Sequence, residues 1–398
     1  MSVTAPKGFV AAGTACGLKG GGAPDLALVA TTAGRAVPAA GVFTTNRVAA
    51  APVVVSRGHL DDPHAAAVVL NSGNANAATG AAGRTAALAT ADAVADSIGV
   101  DPTDVLVCST GLIGIPFPAD VVVRAVPGLT AALDDTPEAG AVAAGAILTT
   151  DTVSKEAVAG VQIGGRAVTV GGMAKGAGML APAHATMLAV LTTDAVVGPG
   201  DLQAMLAGAV DVTFDRMTVD GAQSTNDTVL VLASGDAGGG EITAGSADGR
   251  ALAGAVEAVC SSLAEQMARD AEGATKVVHV TVTGASDDGQ ALRAARQVAE
   301  SQLVKCSWYG ENAYWGRVLS ELGVSGADLD PEAVDISYGG ITVCRDGVAA
   351  VHDEAAVDAV MSAAEIEIDC DLHHGSGTAT VLTTDLSHAY VDENMGKS

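Results

Sequence analysis

The chain has 398 residues and carries 20 Lys and Arg against 46 Asp and Glu, a formal net charge of -26. That length suits two or three cores of about 150 residues each, and that charge repels a phosphate backbone or an anionic membrane surface, so nucleic acid is not an expected partner. Hydrophobic residues make up 49% but aromatics only 3%, and the one uncharged window long enough to tempt a membrane reading, Gly176–Thr193, holds Pro182, His184 and three threonines, which make it a poor span.

The N-terminus, MSVTAPKGFVAAG, lacks the charged start and apolar stretch of a secretory signal, and a cytosolic protein is expected. Cys16, Cys108, Cys260, Cys306, Cys344 and Cys370 are spread singly with no CxxC, which reads as reduced, mostly buried thiols. Cys108, in the apolar run DVLVC, reads as an inert core thiol.

In residues 1–60, Gly-rich turns alternate with the runs LALVAT and APVVVS, both expected as strands of an antiparallel or mixed sheet. AAVVLNSGNANAATG gives a strand from about Ala66, an Asn/Gly turn, then a helix over Arg84–Ile98. Asn71, Asn74 and Asn76 either line a site or make the tight turn for which Asn and Gly are ordinary residues. DVLVCSTGLIG repeats the form: its strand, about Asp104–Cys108, ends in Ser-Thr-Gly, either a simple loop or a turn whose small residues expose N–H groups to an oxyanion. Helices follow at Ala119–Leu133, with Pro127 and Gly128 expected to break it, and at Glu138–Ile147. EAVAGVQI and RAVTV, joined by Gly164-Gly165, read as a hairpin.

The stretch GGMAKGAGMLAPAHATMLAVLTTD, Gly171 to Asp194, comes next. A small-residue loop leads through Pro182 to Ala185-Thr186-Met187-Leu188 and then into a run with the character of a buried strand. This places a hydroxyl at the mouth of a core strand. Thr is a weak nucleophile until a base takes its proton, and the nearest base is its own α-amine, freed when the Ala185–Thr186 bond is cut.

Beyond it, GPGDLQAMLAGAVDVTF reads as a helix capped near Asp201, and TVDGAQSTNDTVLVLASG as a polar loop feeding a strand. Asp220, Ser224, Thr225 and Asn226 have structural hydrogen bonding as their safer role. A helix over Arg250–Asp270 leads through Glu272-Gly273 to the strand KVVHVTVTGA, followed by a helix over Asp288–Leu303. CSWYGENAYWGRVL gathers scarce aromatics, more often core than cofactor stacking. The last third alternates hairpin, helix and strands. LTTD recurs at Leu148, Leu191 and Leu382, too short a match to establish duplication.

Competing chemistries fit less well. Lys175 precedes the Gly pair of KGAG and a strand follows, the wrong order for a phosphate loop. No GxSxG elbow is present. His373, His374 and Asp371 lack a metal-ligand spacing, and no metal is expected. The residues alone thus give an acidic α/β protein with a hydroxyl at an unusual strand entry.

Several blocks, in order, carry a resemblance across nearly the whole chain: GVFTTN, NSGNANAATG, CSTGLIG, ILTTD, GGMAKGAGM with ATMLAVLTTDA, FDRMTVDGAQSTNDTVLVLASG, AEGATK, WGRVL and TTDLSHAYVDEN. The chain resembles the ornithine acetyltransferase, or glutamate N-acetyltransferase, family of arginine biosynthesis. The resemblance implies an αββα-type sandwich with a smaller C-terminal α/β part from about residue 280. It implies self-cleavage between Ala185 and Thr186, giving an α chain of residues 1–185 and a β chain of 186–398, assembled as α2β2. Thr186 is then the nucleophile, Thr110 and Gly111 the oxyanion hole, and Thr149, Lys175, Thr186, Glu272, Asn394 and Ser398 the substrate-binding residues. Acetyl passes from N2-acetylornithine to glutamate by a ping-pong route without a cofactor, and whether acetyl-coenzyme A is a second donor stays open. Two alternatives stand beside this: an N-terminal-nucleophile amidohydrolase passing the acyl group to water, and a non-catalytic binding protein with Ala185–Thr186 intact.

Overall fold

In the computed structural model, residues 2–32, 34–181 and 187–395 are described. The described residues of Met1–Met179, Ala183–Asp215 and Gln223–Met267 form one compact unit, and those of Leu180–Pro182, Arg216–Ala222 and Ala268–Ser398 form a second.

The first unit contains strands β1 (Phe9–Thr14), β2 (Leu26–Thr31), β3 (Val37–Phe43), β4 (His64–Ala65), β5 (Ala67–Asn71), β6 (Val105–Ser109), β7 (Lys155–Ile163), β8 (Arg166–Lys175), β9 (Leu188–Thr193) and β10 (Thr228–Ala233). Its helices are α1 (Ala51–His59), α2 (Gly80–Ile98), α3 (Ala119–Ala131), α4 (Pro137–Ala146), α5 (Pro199–Val212) and α6 (Ala247–Arg269). The strands form two sheets, ordered β1-β2-β5-β6 and β4-β3-β10-β9-β8-β7.

Period-two alternation sends successive side chains to opposite faces. In β5, Val68 and Leu70 join a cluster with Met173, Leu188, Val190 and Leu230 of the other sheet. Ala67 and Val69 turn instead to the apolar stripes of α2 and α3. On the far side, a Cβ on Gly172 would lie 2.9 Å from Val259 Cγ1, so α6 rides directly on β8. Gln203 of α5 exchanges hydrogen bonds with the Gly41 main chain of β3. The layering is therefore helix, sheet, sheet, helix. β7 and β8 pair as the expected hairpin, closed by Gly164 at φ 55° and Gly165 at φ 79°, the positive values a two-residue turn of this hand requires.

Four local expectations are corrected. APVVVS is helical, opening α1 with Pro52 in the first turn, where its fixed φ suits a helix, and leaving Val54 exposed while Val53 and Val55 are buried. Helix α3 runs through Pro127 without a break, because Val122, Val126 and Leu129 lie on one buried stripe whose packing outweighs the lost main-chain bond. Helix α5 begins after Gly198 with Pro199 in its first turn, and Asp201 instead accepts from the Ala244 amide. The helix expected over Asp288–Leu303 is two helices, divided at Ser301, whose hydroxyl accepts from the Val304 amide and starts the second.

The second unit holds β11 (Val277–Ala285), β12 (Asp335–Tyr338), β13 (Ile341–Arg345), β14 (Val348–Ala349), β15 (Glu365–Asp371) and β16 (Gly377–Thr384) in one sheet of order β14-β13-β12-β15-β11-β16. Its helices are α7 (Asp288–Glu300), α8 (Gln302–Tyr309), α9 (Trp315–Val324), α10 (Glu354–Met361) and α11 (His388–Asn394). Trp308 and Tyr338 are buried together in its core, whereas Tyr314 sits on the surface under the Arg317 guanidinium. Lys305 is buried, its ammonium donating to Thr383 Oγ1 at 3.0 Å and to the Thr384 carbonyl, and burial pushes it down to about 7. All six cysteines are free thiols. Cys108, Cys260, Cys344 and Cys370 are buried, Cys16 is partly buried and Cys306 exposed. Among the described residues no helix is long and apolar enough to cross a membrane.

Candidate active site

Parallel strands β5 and β6 end side by side, with Asn71 opposite Ser109. Beyond that end the chain is held by amide side chains. Asn71 Oδ1 accepts from the Ser109 hydroxyl at 2.5 Å, and Asn71 Nδ2 donates to Asn74 O at 2.8 Å. Asn74 Nδ2 donates to Pro116 O, and Asn76 Nδ2 to Gly83 O. Asn226 Nδ2 donates at 2.7 Å to both Ala75 O and Ser109 O. The asparagines therefore build the Thr110–Gly111 turn. Gly111 sits at φ 131°, and a Cβ there would lie 2.4 Å from Gly73 C and 2.5 Å from Asn74 N, so only glycine fits. The Thr110 amide donates to Asn71 O at 2.9 Å. A hydrogen bond from Thr110 to a ligand must therefore come from its hydroxyl.

A second cluster gathers at the end of β8. Asp151 accepts from Lys155 Nζ at 2.6 Å, lies 3.6 Å from Lys175 Nζ, and takes the amides of Thr149 and Gly176 at 3.0 and 2.7 Å. Lys175 Nζ donates to Thr149 Oγ1 at 2.7 Å. Burial alone would raise the Asp151 carboxyl, but the Lys175 and Lys155 ammoniums overturn this and hold it well below the usual carboxylate range. Thr149 and Lys175 are thus bound into one charged group by Asp151, a residue that sequence reasoning missed. Its only signal was its place in ILTTD.

Ala185 and Thr186 lie outside the described residues. Met187, the next residue, is fixed from both sides: its amide donates to Asp227 Oδ1 at 3.0 Å, and its carbonyl accepts from the Thr228 amide at 3.1 Å. Burial pushes the Asp227 carboxyl well up, against smaller opposing effects from the Met187 amide, Ser224 and Lys175. The Lys175 charge thus reaches the carboxyl that anchors the start of β9. Asp227 stands one residue past Asn226, which holds the Thr110–Gly111 turn, so STND is a joint between the two loops.

Glu272 and Asn394 belong to the second unit, where Asn394 Nδ2 donates to Glu272 Oε2 at 2.8 Å. Gly273, at φ 64°, would place a Cβ 2.2 Å from Tyr390 N, so the Glu272 turn lies hard against α11. Ser398 lies outside the described residues. No group of three His, Cys, Asp or Glu able to hold a metal is found among the described residues. Cys108 is buried and its thiol is pushed up to about 12 by that burial, the state of an unreactive core thiol.

A family model described as the ArgJ family matches residues 10–396. A relative from Symbiobacterium thermophilum, named arginine biosynthesis bifunctional protein ArgJ, is 49% identical over 394 residues, spanning 98% of this chain and 97% of its own. One of the same name from Mycobacterium leprae is 49% identical over 404 residues, 100% of this chain and 96% of its own. Among solved structures, arginine biosynthesis bifunctional protein argJ from Bacillus halodurans matches with 39% identity and a TM-score of 0.50, covering 52% of this chain and 97% of that one.

Proposed function

The chain belongs to the ArgJ family, and from that premise we propose that it is the acetyltransferase of arginine biosynthesis that moves acetyl from N2-acetylornithine to glutamate through Thr186. The observation that carries this reading is the family match over residues 10–396. The chain first cuts itself between Ala185 and Thr186, giving chains of residues 1–185 and 186–398 that assemble as α2β2 in the cytosol. The solved Bacillus halodurans chain lends support, since nearly all of it aligns with 52% of this one, the length that a cut near the middle leaves.

In the reaction the freed Thr186 amine takes the proton of its own hydroxyl as the oxygen attacks the acetyl carbonyl. The same proton then passes to the departing nitrogen, the C–N bond breaks and ornithine leaves. An amine on the nucleophile's own residue loses little freedom in reaching it. Glutamate's amine attacks the resulting ester, Thr186 recovers its proton and N-acetylglutamate leaves. Each tetrahedral oxyanion faces the Thr110 hydroxyl and the Gly111 amide, and loss of one such donor costs about 10²–10³ in rate. Lys175, with Thr149 on its ammonium, binds a substrate carboxylate. Glu272 binds a substrate amine with Asn394 steadying its carboxylate, and Ser398 completes the binding residues. The word bifunctional in the relatives' name fits acetyl-coenzyme A as a second donor.

Intact mass of purified wild type and Thr186→Ala tests this. Wild type is expected as two fragments meeting at Ala185/Thr186, with acetyl transfer to glutamate, and Thr186→Ala as one uncut, inactive chain. An uncut chain in both would remove the self-cleaving mechanism.

A further inference from the structure

N2-acetylornithine brings one carboxylate to the enzyme and glutamate brings two, so the acceptor needs a cation that the donor does not. Lys19 is placed to supply it. Its loop, between β1 and β2, is fixed by the fully buried Asp25, which accepts from the amides of Cys16 at 2.6 Å, Gly17 at 3.0 Å and Lys19 at 2.8 Å. That clamp holds the loop through its amides and not through the lysine ammonium. Its stem packs on Gly73: Lys19 Cγ lies 3.1 Å from where a Cβ on Gly73 would be. Gly73 in turn lies against Gly111, whose own Cβ would come 2.4 Å from Gly73 C. Lys19 is thus one residue's thickness from the Thr110–Gly111 turn. Among the described residues its ammonium makes one hydrogen bond, to Pro24 O at 3.0 Å, and an ammonium has three donors.

We propose that Lys19 determines acceptor specificity by binding the side-chain carboxylate of glutamate beside Lys175, an inference that rests on the acetyl-transfer reading above. Two cations whose fields reach one another repel, and an anion bound between them relieves that repulsion. Burial most of all, and then the field of Lys175, push the Lys19 ammonium below its ordinary value, against Asp25, whose effect exceeds that of Lys175, and Asp151, which raise it. A dicarboxylate relieves that repulsion, whereas an acceptor with a neutral side chain does not.

The test uses the full chain as wild type, Lys19→Met and Lys19→Arg. Ornithine release is first measured with N2-acetylornithine and no acceptor, then KM and kcat with glutamate and with glutamine as acceptors. Lys19→Met is expected to keep the ornithine burst and the glutamine kinetics while its KM for glutamate rises about tenfold or more, as loss of a charged hydrogen bond gives. Lys19→Arg should restore most of the preference for glutamate. A KM for glutamate in Lys19→Met within twofold of wild type overturns the proposal. So does loss of the burst in both variants, which would assign Lys19 to the fold. No ornithine release from wild type would overturn the acetyl-transfer reading as well, whereas normal release with unchanged glutamate KM overturns this inference alone.

Discussion

Removing the Asp151 carboxylate takes from Lys155 and Lys175 a charge that both ammoniums bind, at a place where Asp151 and Lys155 are fully buried. Breaking one partner out of a buried ion pair costs about 3–5 kcal/mol. Asp151→Asn should therefore lower the stability read from urea unfolding by about that amount and raise KM for N2-acetylornithine, since Lys175 loses its brace. Acid acts in the same sense. The folded carboxyl is held below its unfolded value, so its stabilisation is complete above about pH 4 and is lost as the pH falls below that; an unfolding series from pH 6 to pH 2 should find the gap between wild type and Asp151→Asn closing. Thr149 and Lys175 were legible because they stand in distinctive blocks, but the carboxylate joining them was not. All three LTTD aspartates accept main-chain amides: Asp151 those of Thr149 and Gly176, Asp194 those of Lys7 and Thr169, and Asp385 those of Thr275 and Lys276. The repeat is visible in the letters. The amides it gathers come partly from remote segments, and no local pattern names them.

At the scale of elements, α1 and β6 depend on one hydroxyl. Strand β6 is an edge of its sheet, and Ser56 Oγ donates to Val107 O at 2.7 Å while accepting from Val107 N at 2.8 Å. A side chain thus does for this strand what a neighbouring strand would. Ser56→Ala leaves both buried groups unmatched, and at about 1–3 kcal/mol for such a loss the midpoint of thermal unfolding should drop by several degrees; an unchanged midpoint would mean that water replaces the hydroxyl. This also explains why APVVVS misleads. Three consecutive valines favour a strand locally, but Pro52 starts a helix and Ser56 is needed one turn later, facing β6. The hairpin at Gly164-Gly165, the strand over Val277–Ala285 and the Ser-Thr-Gly turn were legible because their signals are local. Helix α3 was misread at Pro127 because its stability comes from packing against α2 and the sheet.

On the scale of the whole chain, the cut proposed at Ala185–Thr186 falls between neighbours in one sheet. Strands β9 and β10, after the cut, lie between β8 and β3, which precede it, and pair with them along their length. The cluster between the two sheets likewise draws Val68 and Leu70 from one side of the cut and Leu188, Val190 and Leu230 from the other. The fragments should therefore elute together from a sizing column in native buffer and separate only in denaturant, with separate elution in native buffer as the contrary result. The layered architecture followed from family resemblance, whereas the interleaving of the halves requires the strand order, which hydrophobic runs do not encode. A gene divided at the codon for Thr186 would meet this order from the other direction. Its second product would emerge from the ribosome with β9 and β10 bare on both edges, a two-stranded ribbon too small to stand alone and prone to stick to its copies. Under the proposed cut, the two halves need to be born as one chain, and would become two only once the sheet has closed around them.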